Sequence, residues 1–107
     1  MSDQKMFVAV GEYLKPLSEV EAHYSKHSEW LVRNYESGAF LASGRQFPPT
    51  GGLILAKASS LAQATTLFEE DPLVHLGIAR YSLIEFTPGD FPRRSPEFDA
   101  FFKKAIK

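Results

Sequence analysis

The 107-residue sequence contains no cysteine, so the chain has no disulfide, no thiolate metal ligand and no cysteine nucleophile. It also lacks a long hydrophobic run: the longest apolar stretch, residues 6–10, has the length of a strand and not of a membrane span. The N-terminal residues MSDQKMFVAVGEYL lack the charged region and long apolar run of a signal peptide. We therefore expect a cytoplasmic protein without a membrane segment.

Strong charge of one sign is absent as well. A formal net charge of -1 attracts neither nucleic acid nor an anionic membrane, and Arg93-Arg94 is too small a basic cluster for nucleic acid. Gly51-Gly52 is too short for a phosphate loop, and no dinucleotide fingerprint exists. A hydrophobic content of 44%, with nine Phe and four Tyr, is nevertheless enough for a core. The length fits one domain, residues 1–107, with residues 94–107 as a C-terminal helical tail.

Hydrophobic periodicity predicts two helices among four strands. Strands are predicted at 6–14, 39–44, 53–58 and 78–86, one helix at 18–37 and another from residue 60, followed by one more turn at 73–76. Capping-box patterns, Ser18 with Glu21 and Ser60 with Gln63, mark the two helix starts, and Gly38 ends the first helix. The order β-α-β-β-α-β is the ferredoxin-like α+β pattern, with one antiparallel sheet and both helices on one face.

The predicted strands carry apolar residues on both faces, whereas two helices cover only one. Val8 and Val10 alternate with Phe7 and Ala9, for example. An open apolar face usually indicates association, so we expect a homodimer formed through that face. The alternative is that the C-terminal helix, which begins at Ser95-Pro96 and is rich in Phe, covers the face within one monomer.

A histidine lies within the apolar stripe of the first helix. The stripe consists of Val20, Tyr24, His27, Leu31 and Tyr35, with His23 and Trp30 at its edge. An imidazole on an apolar face must be hydrogen-bonded. The hydrogen bond either serves only the packing of a core histidine or belongs to a site in which the ring acts as an acid or base. Asp71, just before Pro72, is either the carboxylate that orients this histidine or a helix-terminating turn residue.

Other polar residues give weaker signals. His23 and His27 have the i, i+4 spacing of metal ligands, but no third ligand is evident and the glutamate of the zincin motif is missing, so we expect no metal. Arg45, at the start of the hairpin loop, is either solvated or holds a substrate carboxylate or phenolate.

Several short runs resemble the YCII-related family. They are HSEWL at 27–31, GAFLASG at 38–44, TGGLILA at 50–56, EDPL at 70–73 and residues 81–88, and their order and spacing extend over nearly the whole chain. The resemblance implies a dimeric α+β barrel and a catalytic dyad at His27 and Asp71. Family members include a dehydrochlorinase that acts on a chlorinated hydroxyquinol. Many relatives carry proline where this chain has Arg45, so a shared substrate is not implied.

Two hypotheses follow for the function. In the first, the protein is a cofactor-independent lyase or isomerase, in which His27 and Asp71 catalyse proton transfer on a small hydroxylated or carboxylated molecule; Arg45 binds the anion, and Tyr13 or Trp30 forms the pocket wall. In the second, it is a non-catalytic ligand-binding or interaction module with a structural His-Asp pair. An enzyme requires the His27 ring to reach a cavity, whereas a structural pair is enclosed.

Overall fold

The computed structural model describes residues 4–90 and 92–107, and their element order matches the predicted α+β pattern. The elements are β1 (Lys5–Tyr13), α1 (Leu17–Ala22), α2 (Tyr24–Glu36), β2 (Phe40–Arg45), β3 (Gly52–Ala58), α3 (Leu61–Glu69), α4 (Pro72–His75), β4 (Ala79–Phe86) and α5 (Pro96–Lys103). No helix within the described residues is long and apolar enough to cross a membrane.

The four strands form one antiparallel sheet in the order β2-β3-β1-β4, which is the ferredoxin-like order. Strand β1 is one of the two inner strands and pairs with both β3 and β4. Its helix-facing side chains, Phe7 and Ala9, are fully buried. The functional residues discussed below lie on this helix-covered face, at the end of the sheet where β1 ends and β4 begins.

The predicted first helix is broken at His23 into α1 and α2, and the predicted Ser18 capping box is wrong. Helix α1 is preceded by Pro16, whose carbonyl accepts the amides of Glu19 and Val20, while Ser18 lies inside the first turn. The proline ring has no hydrogen-bond acceptor, so α1 begins without a side-chain cap. The predicted stop is confirmed, because Gly38 has a φ of 89° directly after the end of α2.

The buried face of α2 differs in part from the predicted stripe. Trp30 was expected at the edge of the stripe, but it is only 1% exposed and lies in the core. Tyr24 and Tyr35, expected on the buried stripe, are 43% and 39% exposed. All three residues lie within α2, so the real buried face is rotated from the predicted one about the axis of this helix. The inward residues of α2 are instead His27, Trp30, Leu31 and Asn34.

Helices α3 and α4 meet at Asp71. The start of α3 is confirmed, because the Ser60 side chain accepts the Gln63 amide. Leu61, in the first turn of α3, is 52% exposed, whereas Ala64 and Phe68 of the same helix are buried. Proline forces the residue before it out of helical geometry, and Asp71 has a φ of -61° and a ψ of 124°. That backbone turn makes Asp71 the N-cap of α4 and directs its carboxylate inward.

The opposite sheet face is only partly covered. The register places Val8 beside Leu55 and Ile84 on this face, and Ile84 is 56% exposed. At one end of the same face, however, Lys57 is fully buried, and its ammonium donates to main-chain carbonyls of the C-terminal segment that contains α5. The predicted cap of α5 is confirmed, because Ser95 accepts the Phe98 amide. The tail thus covers one end of the face and leaves the rest open.

Candidate active site

Three elements direct polar side chains to one point beneath the helices. Helix α2 supplies His27, the α3–α4 junction supplies Asp71, and β4 supplies Tyr81. His27 follows the break at His23 by one turn and faces the sheet. Since α2 contacts α4 and α4 contacts β4, the three side chains converge without any long loop to position them.

His27 and Asp71 are in direct contact, as the sequence led us to expect. His27 Nδ1 lies 2.9 Å from each carboxylate oxygen of Asp71. The Asp71 side chain is fully buried, while that of His27 is 12% exposed. Because the carboxylate can only accept, Nδ1 carries the proton of this hydrogen bond. Nε2 is therefore left as the ring nitrogen available for other partners.

The Asp71 carboxylate has two further donors. Oδ1 accepts the Leu73 amide at 3.0 Å, and Oδ2 accepts the Tyr81 hydroxyl at 2.7 Å. A buried carboxylate is costly unless it is paired and hydrogen-bonded. Here every donor comes from a different element or turn, so the carboxylate is fixed in both position and rotation.

A cavity of about 140 Å³ adjoins His27. Its lining includes Tyr13, Tyr24, His27, Leu31, Arg45 and Tyr81. The imidazole is thus hydrogen-bonded to Asp71 and also lines a cavity. This is the arrangement that separates a candidate acid–base site from an enclosed structural pair.

Two of the predicted substrate-binding residues line this cavity, and one does not. Tyr13 and Arg45 enter from the ends of β1 and β2. Burial raises the pKa of Tyr13, and the neighbouring Arg45 guanidinium opposes that rise. Trp30 instead lies behind His27, with ring centres 5.7 Å apart, and packs on Phe40 and Phe68. It supports the histidine from the core and does not form the cavity wall.

The predicted absence of a metal stays a prediction. Among the described residues, no three His, Asp or Glu side chains come close enough together to hold a metal ion. His23 lies at the break between α1 and α2, and the ring of His27 is engaged by Asp71.

Tyr81 was missed as a site residue at the sequence level. It was recognised only as part of a strand, because nothing in a β-strand pattern tells which polar atom meets a distant helix cap. A signal did exist: Tyr81 is the one tyrosine of β4, and a buried tyrosine hydroxyl normally finds a partner. That partner, Asp71, is ten residues away.

Comparison with known proteins identifies the family and the fold. The model of the YCII-related domain matches residues 6–87. A 5-chloro-2-hydroxyhydroquinone dehydrochlorinase from Burkholderia phenoliruptrix AC1100, solved with 2,5-dihydroxybenzoquinone, gives a TM-score of 0.67 at 17% identity, covering 78% of this chain and 95% of that chain. SnoaB, a cofactor-independent oxygenase from Streptomyces nogalater, gives 0.47 at 13% identity, covering 85% and 99%. No curated protein matches significantly.

Proposed function

The chain belongs to the YCII-related domain family, and we propose that it is a cofactor-independent enzyme that uses His27 and Asp71 for proton transfer. The substrate is a small hydroxylated or carboxylated molecule, and the reaction is an elimination or an isomerisation. One observation carries the proposal: His27 Nδ1 is hydrogen-bonded to a buried carboxylate while the same ring lines a cavity.

The chemistry assigned to each group follows from its contacts. Nε2 of His27 accepts a proton from a carbon or hydroxyl of the substrate, and the electron pair of the broken bond forms a new double bond. In an elimination, the leaving group departs with its own bonding pair; in an isomerisation, the proton returns to another atom of the substrate. Asp71 stabilises the imidazolium that exists in between.

The cavity limits the size of the substrate. A cavity of about 140 Å³ is close to the roughly 150 Å³ that holds benzene in an engineered protein core. The cavity is thus about the size of a single six-membered ring. Arg45 adds a positively charged guanidinium to the lining. A carboxylate or phenolate on that ring is the group that Arg45 would bind.

The proposal is tested with two defined probes, both taken from the dehydrochlorinase of the same fold. Binding of 2,5-dihydroxybenzoquinone is measured by calorimetry, and chloride release from 5-chloro-2-hydroxyhydroquinone is measured as turnover. We expect Arg45→Gln to weaken binding about tenfold and His27→Gln to reduce turnover at least about a hundredfold. His75→Gln is the matched control, since His75 is exposed on α4.

The outcomes separate the two hypotheses. If His27→Gln turns over the chlorinated probe as fast as the unmodified protein, His27 is not the acid–base group. If the unmodified protein binds the quinone without turnover of any hydroxylated or carboxylated single-ring compound offered, the protein is a binding module with a structural His-Asp pair.

We also propose that the open sheet face pairs with a second copy of the chain. Leu53, Ile84 and Phe86 are 37%, 56% and 40% exposed on the part of this sheet face that the C-terminal tail leaves open. Sedimentation equilibrium at micromolar concentration should give twice the chain mass. Ile84→Glu should shift the protein toward monomer, because it places a charge in the middle of the patch. A monomeric unmodified protein would contradict this assembly.

A further inference from the structure

We infer that Tyr81 is the positioning residue of this site: its hydroxyl, together with the Leu73 amide, fixes the Asp71 carboxylate so that His27 keeps its proton on Nδ1 and presents Nε2 to the cavity. The inference deepens the proposed function and rests on it, since it concerns the same pair. Nothing in the sequence motifs of the pair includes Tyr81, and the assignment comes from the hydrogen-bond geometry alone.

The two fixed oxygens of Asp71 are the first observation. The Leu73 amide binds Oδ1 and the Tyr81 hydroxyl binds Oδ2, while Nδ1 of His27 lies 2.9 Å from both. The two outer donors therefore hold the carboxylate from opposite sides, with the imidazole centred between them. Without the Tyr81 hydroxyl, Oδ2 loses one of its donors. The Leu73 amide alone does not prevent the carboxylate from rotating about its Cβ–Cγ bond.

The ring of Tyr81 is held in a slot, which is the second observation. Its neighbour across the sheet is Gly11 on β1, and a Cβ atom there would lie only 3.1 Å from Cε1 of Tyr81. On the helix side, the ring packs against Phe68 at a centroid distance of 4.9 Å. The absence of a side chain at position 11 thus provides the space that this tyrosine occupies, and the hydroxyl has little freedom to leave Asp71.

The hydroxyl is also a permanent donor. Burial raises the pKa of Tyr81 far above its ordinary value, and the adjacent Asp71 carboxylate raises it further. The phenol thus stays protonated at neutral pH and well into the alkaline range. A group that always donates to Oδ2 keeps Asp71 an acceptor for His27 and does not itself compete for the histidine proton.

The test measures the tautomer of His27, which a purely structural contact would not change. Long-range ¹H–¹⁵N spectra of imidazole-labelled protein above the titration of the ring report the ratio of the Nδ1–H to the Nε2–H form. In the unmodified protein we expect the Nδ1–H form to dominate. Tyr81→Phe keeps the ring and removes only the hydroxyl, and we expect it to lower that ratio about tenfold. Tyr35→Phe, which loses a hydroxyl bonded to Ser43, should leave it unchanged.

Asp71→Asn distinguishes failure of this inference from failure of the proposed pair. If Asp71→Asn alters the tautomer ratio and folded Tyr81→Phe does not, the pair stands and Tyr81 has no positioning role. If Asp71→Asn leaves the ratio unchanged, the pair itself is wrong. Should Tyr81→Phe not fold, the unmodified protein decides: a slowly exchanging Tyr81 hydroxyl proton with a nuclear Overhauser effect to His27 Nδ1–H supports the inference, and a rapidly exchanging hydroxyl proton contradicts it.

Discussion

Asp71 and Lys57 are both fully buried charged side chains, one on each face of the sheet, and the protein accommodates them in opposite ways. Asp71 is surrounded by donors from a histidine, a tyrosine and a backbone amide. Lys57 is surrounded by acceptors, namely the carbonyls of Phe101 and Lys104, and by the face of the Phe101 ring at 4.2 Å. Both charges are compensated, as buried charges must be.

The difference lies in what the partners can do. The partner of Asp71 is a histidine, a side chain that can accept and donate a proton, and its ring lines a cavity. The partners of Lys57 are main-chain carbonyls and a hydrocarbon ring, which have no proton to exchange. A buried charge thus indicates chemistry only when a titratable partner connects it to open space. By that criterion Asp71 belongs to a candidate site, while Lys57 holds the C-terminal tail in place.

The largest expected effect comes from removing the buried carboxylate. Asp71→Ala leaves the Leu73 amide and the Tyr81 hydroxyl without an acceptor inside the protein, and breaking a buried ionic contact costs roughly 3–5 kcal/mol. We expect urea denaturation to show a loss of about 3 kcal/mol in the free energy of unfolding. Asp90→Ala is the control, because Asp90 is exposed, and it should change stability little. If Asp71→Ala were as stable as the unmodified protein, the carboxylate would not be buried among these donors.

Removing the buried ammonium should have a smaller effect. Lys57→Met keeps the length and apolar contacts of the side chain but leaves the carbonyls of Phe101 and Lys104 without their donor. These carbonyls lie at the end of α5, where water can reach them once the tail loosens. Replacing a buried charge by an apolar side chain is often close to neutral, so we expect a change within about 1 kcal/mol. A loss as large as that of Asp71→Ala would contradict the distinction drawn between the two charges.

The sequence predicted the site around Asp71 better than the buried contact of Lys57. Asp71 could be assigned because proline fixes the backbone of the preceding residue, and because the EDPL run resembles a family motif. The burial of Lys57 could not be predicted. Its position in an apolar strand shows on which sheet face it lies, but a lysine at such a position is expected to reach solvent. Its burial depends on where α5 docks, and that docking involves residues more than 40 positions away. Strand alternation does not carry such information.

Within the site, local sequence patterns identified which residues take part better than they predicted where each side chain points. His27 and Asp71 were predicted and lie together, and Arg45 and Tyr13 line the cavity as expected. The inward position of Trp30 was missed, because the stripe drawn through Tyr24 and Tyr35 has its centre to one side of the real buried face of α2. Helical periodicity thus identified the helix and two of its inward residues, His27 and Leu31, but not the centre of its buried face.

The smallest expected effect is a dependence of stability on alkaline pH, and it tests whether Lys57 is buried as an ammonium. Burial lowers the pKa of Lys57 below its ordinary value of 10.5. The unfolded chain therefore binds more protons than the folded one between the lowered pKa and 10.5, so the free energy of unfolding rises with pH across that window. Lys57→Met removes this contribution. The stability of the unmodified protein relative to Lys57→Met should therefore increase as the pH rises through the window.

Lys26→Met, at an exposed position of α2, serves as control, and its stability should follow the same pH dependence as that of the unmodified protein. A difference that stays constant with pH would show that Lys57 titrates alike in both states, and that the tail does not enclose it in solution.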